Sequence, residues 1–209
     1  MSLSEKIAMP TRRAFAALAA GALFAGPALA AADPAAERIE AFDATLIEMM
    51  KGGAGMGVRG RFRRLQPVID ETFDIPTMTR FAVGPAWAGF SEVEKAALIR
   101  AFARLSAASY AKNFDSYSGE KFVVDPKVET RGADKIVQVK LIQPKGAPVA
   151  LTYRMRPAAG GWRIVDVYYG AISQLTTRRS DFAGPLASGG ARGLLAHLET
   201  LTTRLVGQG

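Results

Sequence analysis

The sequence predicts an α+β domain in which an antiparallel meander of about four strands is backed by several amphipathic helices. Hydrophobic residues recur about every 3.6 positions in the first half of the chain and again near its end, which indicates helices. Between about residues 122 and 169 the period is 2, which indicates strands. Helices, then a run of strands, then helices are typical of an α+β fold. The 209 residues, 49% of them hydrophobic, leave room for one ordinary domain and an export leader.

Residues 1–30 have the features of a cleaved export signal. Basic residues precede an apolar stretch from Ala14 to Ala25, and Ala28-Leu29-Ala30 fits an A-x-A cleavage site. The apolar stretch is shorter than the roughly 20 residues that a membrane-spanning helix needs. The pair Arg12-Arg13 fits the twin-arginine route, and the general secretory route stays open. We therefore expect export, with residues 31–209 forming a single domain.

Removal of the leader leaves a basic domain. The net charge falls from +8 to +6, because residues 1–30 hold three basic residues and one acidic residue. An exported basic protein does not meet chromosomal DNA, so nucleic acid is not an expected partner. The expected anionic partners are lipid headgroups and acidic protein surfaces.

Four helical segments are expected ahead of the strands. Each shows apolar residues at spacings of three and four, the pattern of a helix with one face against a core. Gly52-Gly53 ends the first segment, and Asp74 and Ser91 are typical capping residues at the starts of the third and fourth. Glu94 completes a capping box with Ser91. The expected apolar stripes cover Ile39–Met50, Phe62–Phe73, Ile75–Phe81 and Leu98–Tyr110.

The strands show alternating apolar and polar residues and are bounded by turn sequences. Gln143-Pro144-Lys145-Gly146 and Ala158-Ala159-Gly160-Gly161 are typical hairpin turns. After the last strand, leucines from Leu194 to Leu205 line one side of a final helix. The expected strands are Phe122–Val124, Lys135–Ile142, Val149–Met155 and Trp162–Tyr169.

Composition excludes several kinds of chemistry. The chain has no Cys, so it has no disulfide, thiolate metal site or cysteine nucleophile. It has one His, His197, which we interpret as a partly buried structural residue among leucines. The segment from Gly55 to Gly60 spells G-x-G-x-x-G, but it follows a helical pattern and not a strand. We interpret it as a flexible connection between helices and expect no cofactor and no metal ion.

Arg59, Arg61, Arg63 and Arg64 form a basic cluster. A nucleic-acid patch would carry interleaved aromatic residues, and this segment has one Phe. Two interpretations stay open, a solvated helix face and a contact with anionic lipid or a protein partner.

Two groups of motifs carry a resemblance to a known family. The first is Trp162-Arg163-Ile164-Val165-Asp166-Val167 with Ile172-Ser173 and Arg179-Ser180-x-Phe182. The second, upstream, comprises Phe73-Asp74, Met78-x-Arg80-Phe81, Gly84-x-x-Trp87, Phe102 and Tyr110. Together they resemble the MlaC-type family, also called toluene-tolerance auxiliary proteins. The chain has Gly170-Ala171 and Arg178 where the family usually has Glu-Gly and Tyr, and Ile172–Leu175 is closest to the hopanoid-associated HpnM branch.

The resemblance implies a soluble periplasmic shuttle that holds lipid tails in an apolar cavity, with the headgroup near solvent. It implies a hopanoid or a phospholipid as cargo. It also implies exchange with an inner-membrane transporter component, of the ABC or RND class, and with an outer-membrane acceptor. We expect a monomer that performs no catalysis.

Candidate cavity residues come from an apolar sheet face and from aromatic and apolar positions on the helices. Arg178 and Arg179, just after the last strand, are candidates for docking on an acidic partner or an anionic membrane. The cavity candidates are Phe81, Trp87, Phe102, Leu105, Tyr110, Val137, Val139, Leu141, Leu151, Tyr153, Met155, Trp162, Tyr169, Ile172 and Leu175.

Two other functions stay open. One is a regulatory partner of a lipid transporter that carries no cargo. The other is an enzyme on a related cone-shaped α+β fold, with Asp166 and Tyr168 in its pocket. Alternation along the strand favours Asp166 as a structural hydrogen-bond acceptor.

Overall fold

The computed structural model describes residues 32–207, so the predicted export signal lies outside the described residues. Within these residues, five α-helices and one short 3₁₀ helix lie on one side of a sheet. No helix within the described part of the chain combines the length and apolar character needed to cross a membrane. The helices are α1 (Pro34–Lys51), α2 (Gly53–Thr72), α3 (Ile75–Val83), the 3₁₀ helix (Gly84–Gly89), α4 (Glu92–Asn113) and α5 (Gln174–Gly207).

The sheet has six strands, and all of its strand pairs are antiparallel. The order is β1-β3-β4-β5-β6, with β2 beside β1 along the same edge of β3. The α+β prediction is confirmed, with two strands more than expected. These two, β2 and β6, are only three and two residues long, too short to show an alternating pattern. The strands are β1 (Lys121–Val124), β2 (Glu129–Arg131), β3 (Asp134–Ile142), β4 (Val149–Ala158), β5 (Gly161–Tyr169) and β6 (Ile172–Ser173).

The helix starts are fixed by the capping residues that the sequence indicates. The Asp74 carboxylate accepts a hydrogen bond from the Thr77 backbone N–H at 3.1 Å. Ser91 and Glu94 form a complete capping box at the start of α4. Side-chain oxygens at these positions satisfy backbone N–H groups that have no partner inside the helix.

The glycine-rich segment joins two helical stretches of α2 that meet at a kink, so the predicted connection between helices is present and is confined to one residue. Only Gly57 departs from helical geometry, with φ 61° and ψ 170°, and it kinks the helix. At Gly53 a side chain would place its Cβ 2.2 Å from the carbonyl oxygen of Asp115, so only glycine fits this close approach. The glycines therefore allow the first turn of α2 to pack directly on the backbone that follows α4.

Arg61 explains why this packing is stable. Its guanidinium is buried and donates to the carbonyl of Ala111 through Nε and to that of Gly53 through Nη1, both at 2.9 Å. It therefore joins the start of α2 to the end of α4. For Arg61 the predicted solvated helix face is wrong, whereas Arg59 and Arg63 are exposed.

The strand register gives the sheet an inner and an outer face. Val137, Tyr153 and Val167 lie opposite one another on β3, β4 and β5 and are buried against the helices. The next registered pair, Arg154 and Asp166, belongs to the opposite face. The helices therefore cover one face of the sheet, and the core lies between them.

Candidate functional site

A cavity of about 100 Å³ lies between α4, the start of α5 and the end of β5, and it is partly open to solvent. Phe73, directly after α2, and Met78 of α3 also line it. Its apolar wall consists of rings and aliphatic side chains from all of these elements. That wall comprises Phe73, Met78, Phe102, Tyr110, Val167, Tyr169 and Leu175.

Five polar side chains form the rest of the lining, here called the polar rim: Ser106, Ser109 and Asn113 on α4, and Gln174 and Arg178 on α5. Spacings of three and four residues place each set on one side of its helix. The Arg178 guanidinium donates to the hydroxyl of Ser109 at 3.4 Å and lies 3.6 Å from the Asp181 carboxylate. The cavity therefore has an apolar wall and a polar rim that carries one positive charge.

Aromatic rings fill the interior next to the cavity. The Phe42 ring packs edge-on against Phe73 and Tyr110, each at 5.4 Å between ring centroids, and against Tyr153 at 6.4 Å. Phe73 and Tyr110 therefore form a partition, with the cavity on one side and a filled core on the other.

Comparison with known proteins identifies the family. Residues 40–200 match the family model described as MlaC protein. The chain belongs to the MlaC family. The resemblance that the motifs indicate is thus confirmed, and the placement in the HpnM branch stays a prediction.

A solved structure has the same fold as this MlaC family member. It is a phospholipid-binding protein from Ralstonia solanacearum, determined in complex with a phospholipid. The two structures superpose with a TM-score of 0.72 at 20% sequence identity. The match covers 82% of this chain and 98% of the other chain. At this identity the likeness shows a shared fold.

The structure brings four predicted cavity residues to the cavity of this MlaC family member: Phe102, Tyr110, Tyr169 and Leu175. Arg178, predicted as a docking residue, also lines it. Six other candidates are buried in the filled core, and these are Leu105, Val137, Val139, Leu151, Tyr153 and Met155. Leu141, Trp87 and Trp162 are half-buried against that core.

Two candidates lie at the surface because their elements present other residues to the core. Ile172, on the edge strand β6, is 64% exposed. Phe81 is 48% exposed because Met78 and Ala82 form the buried side of α3. The exposed Arg179 covers the Phe81 ring, with its guanidinium 5.6 Å from the ring centroid.

The polar rim was missed by reasoning from apolar periodicity. Ser106, Ser109 and Asn113 share one side of a helix that otherwise buries alanines and large apolar residues there. A polar stripe on the inward side of a helix is the signal that would have found them. Val167 was missed for another reason, since alternation along β5 does not distinguish a core position from a cavity wall.

Asp166 and Tyr168 lie on the outer face of the sheet, because they alternate with Val167 and Tyr169 of the cavity wall. The Asp166 carboxylate accepts from the backbone N–H groups of Val167 at 2.8 Å and Leu175 at 3.1 Å, and from the Ser173 hydroxyl at 2.7 Å. The predicted role of Asp166 as a structural acceptor is confirmed. It anchors the start of α5, which supplies the cavity with Gln174 and Leu175.

Asp43 is a buried carboxyl on the filled side of the partition, only 3% exposed. Neither of its oxygens makes a hydrogen bond to any residue that the structure describes. Burial raises the pKa of Asp43 to about 8, and the nearby hydroxyl of Tyr153 offsets part of that effect. Burial also raises the pKa of Tyr110, Tyr153 and Tyr169. At pH 7 the Asp43 carboxyl is therefore mainly protonated and neutral.

Proposed function

We propose that this MlaC family member is a periplasmic carrier that shuttles a lipid between membranes or membrane-bound transport components. The apolar part of the lipid occupies the cavity, and its polar group lies at the rim. The observation that carries the proposal is the division of one cavity into an apolar wall and a polar rim that opens to solvent. The phospholipid-binding protein from Ralstonia solanacearum, which has this fold, supports a lipid as cargo.

The physical need for such a carrier follows from the hydrophobic effect. Two 16-carbon tails contain about 30 methylene groups, and exposing each to water costs about 0.8 kcal/mol. The total of about 24 kcal/mol makes unassisted escape from a membrane very slow. A carrier lowers this cost only if it surrounds the tails with apolar side chains, which is the role that we propose for the cavity wall after the cavity has widened.

Loading of two tails requires the cavity to widen. A cavity of about 150 Å³ accommodates a molecule the size of benzene, and the cavity here is about 100 Å³. We infer that α4 and the first turns of α5 move apart on loading, because residues of both helices line the cavity.

Mass spectrometry of lipids extracted from the purified, exported protein tests the proposal. We expect about one lipid per protein chain. Ser106→Trp places a large ring in the cavity and should give a lipid-free protein. Val93→Trp is the matched control, because Val93 lies on the same helix and is 78% exposed. A lipid-free wild-type protein that still binds transport components would instead support the regulatory function.

We also propose that residues 1–30 direct export and that the basic surface assists docking. Replacing Arg12 and Arg13 with Lys should stop periplasmic accumulation on the twin-arginine route, since that route reads the arginine pair. Normal accumulation of the double variant would indicate the general secretory route.

The Arg179 guanidinium is exposed beside Phe81 and is the remaining docking candidate. Arg179→Glu should slow lipid delivery to anionic membranes or acidic partners while leaving lipid content unchanged.

A further inference from the structure

We propose that the polar rim binds the phosphate of the lipid headgroup, with Arg178 as the residue that selects a phosphate-bearing lipid over an uncharged one. This inference rests on the proposed carrier function. The rim lies at the boundary between apolar wall and solvent, where the headgroup of a lipid with buried tails must lie. The side chains there determine which headgroup is bound.

The rim side chains are rich in hydrogen-bond donors. Arg178 carries five N–H donors in a planar fork, Ser106 and Ser109 each carry a hydroxyl, and Asn113 and Gln174 each carry an amide N–H₂. No carboxylate lines the cavity within the described residues. A phosphate group has only acceptor oxygens and a negative charge, so it matches this set of donors.

Arg178 makes only long polar contacts in the structure. Within residues 32–207 its guanidinium makes one hydrogen bond, to Ser109 at 3.4 Å, and one ion pair, to Asp181 at 3.6 Å. Charge-assisted bonds of arginine to an anion are normally 2.7–2.9 Å long. The Asp181 side chain is 44% exposed, so solvent screens that ion pair. The guanidinium can therefore form shorter bonds to a phosphate without losing a strong partner.

Arg179 provides a contrast on the same turn of α5. Its guanidinium lies against the Phe81 ring and beside Gly84, and Arg179 does not line the cavity. Arg178 and Arg179 carry the same charge and lie on the same helix. Only Arg178 has the geometry to contact a headgroup, which makes Arg179 a matched control.

The test compares binding of three probes to the delipidated, exported protein: dipalmitoyl phosphatidylethanolamine, dipalmitoylglycerol and glycerol 3-phosphate. The first two have the same tails and differ in the phosphate headgroup. We expect the phospholipid to bind about ten- to a hundredfold more tightly than dipalmitoylglycerol, the range for hydrogen bonds to a charged group. Glycerol 3-phosphate should bind far more weakly than the phospholipid, because it lacks tails.

Arg178→Gln should reduce the preference for phospholipid to about threefold or less and leave the affinity for dipalmitoylglycerol unchanged. Arg179→Gln should keep the full preference. Ser109→Ala is a second variant that keeps the charge, and it should lower the preference by about fivefold. A full preference in Arg178→Gln, or an equal loss in Arg179→Gln, would overturn the inference.

The remaining outcomes separate this inference from the carrier function. If wild-type protein binds both lipids equally, the phosphate site is overturned and the carrier function stands. If it binds neither lipid, the carrier function itself fails. If glycerol 3-phosphate binds as tightly as the phospholipid, the rim recognises free phosphate esters, and the assignment to a lipid headgroup is overturned.

Discussion

The interior between the sheet and the helices has two sides that the same elements build differently. On the filled side, Phe42, Val139, Leu151 and Tyr153 are each at most 2% exposed, and the rings of Phe42 and Tyr153 pack edge-on. On the cavity side, Ser106 and Ser109 of α4 line a cavity together with Val167 and Tyr169 of β5. The difference indicates that short polar residues on one helix leave space where larger side chains would fill a core.

The largest expected difference between the two sides comes from truncating one leucine on each. Leu151→Ala should cost about 2–5 kcal/mol in free energy of unfolding, because it leaves a void in a filled core. Leu175→Ala should cost less than half as much, because that side chain already borders a cavity and has fewer packing partners. Urea unfolding of the lipid-free proteins measures both. Equal losses would mean that the cavity side is packed as tightly as the filled side.

Asp43, on the filled side, should make the stability of the protein depend on pH. Its pKa is about 8 in the folded protein and near 3.8 when unfolded, so between these pH values the folded state keeps a proton that the unfolded state loses. Its contribution to stability is therefore full below about pH 4 and is lost as the pH rises to about 8. Asp43→Asn should match the wild type near pH 4 and exceed its free energy of unfolding by about 2 kcal/mol or more at pH 7.

Thermal and urea unfolding at a series of pH values measure the difference between Asp43→Asn and wild type. Taking this difference cancels the opposite effect of Asp134, whose pKa is lowered by the hydrogen bond from Arg156. Asp70→Asn, at an exposed position on α2, serves as the control for removal of one carboxylate from the surface. A flat difference for Asp43→Asn would show that the filled side accommodates a charge.

Replacing a small side chain with Trp tests the same difference by enlargement instead of truncation. Val139→Trp overpacks the filled side and should destabilise the lipid-free protein by about 1–3 kcal/mol. Ser106→Trp has the cavity to occupy and should leave the stability nearly unchanged. Differential scanning calorimetry of both lipid-free variants makes the comparison. If Ser106→Trp is the more destabilising change, the cavity does not accept an apolar group.

The smallest effect on stability is expected from the Asp166 hydrogen bonds, which hold the start of α5 beside the cavity. Asp166→Asn weakens the charge-assisted bonds that hold the start of α5 and should cost about 1 kcal/mol. Hydrogen exchange should quicken at the Leu175 amide and stay unchanged on the filled side. Asp181→Asn, half-exposed on the same helix, should change neither quantity. Unchanged exchange at Leu175 in Asp166→Asn would show that α5 is held by its packing alone.

The sequence predicts most of the fold, because each long element carries its own periodicity and caps. The capping box at Ser91 and the alternation along β3 to β5 are local signals, and the structure has both. The burial of Arg61 was not predictable, since it depends on two carbonyls brought together by the packing of α2 on α4. The cavity depends on the sizes of facing side chains. Val139 and Val167 have the same pattern along their strands, yet of the two only Val167 lines the cavity that Ser106 and Ser109 also line.

The size of the cavity has a consequence for how tightly a cargo is held. If a two-tailed lipid enters only a widened conformation, the apparent dissociation constant equals the intrinsic constant divided by the fraction of molecules in that conformation. A widened population of about 1% would weaken apparent binding about a hundredfold. The closed conformation, whose cavity is about 100 Å³, would then favour unloading, because it has no room for the lipid. In a carrier built in this way, closure of the empty cavity would lower the affinity for the lipid and so favour its transfer to an acceptor.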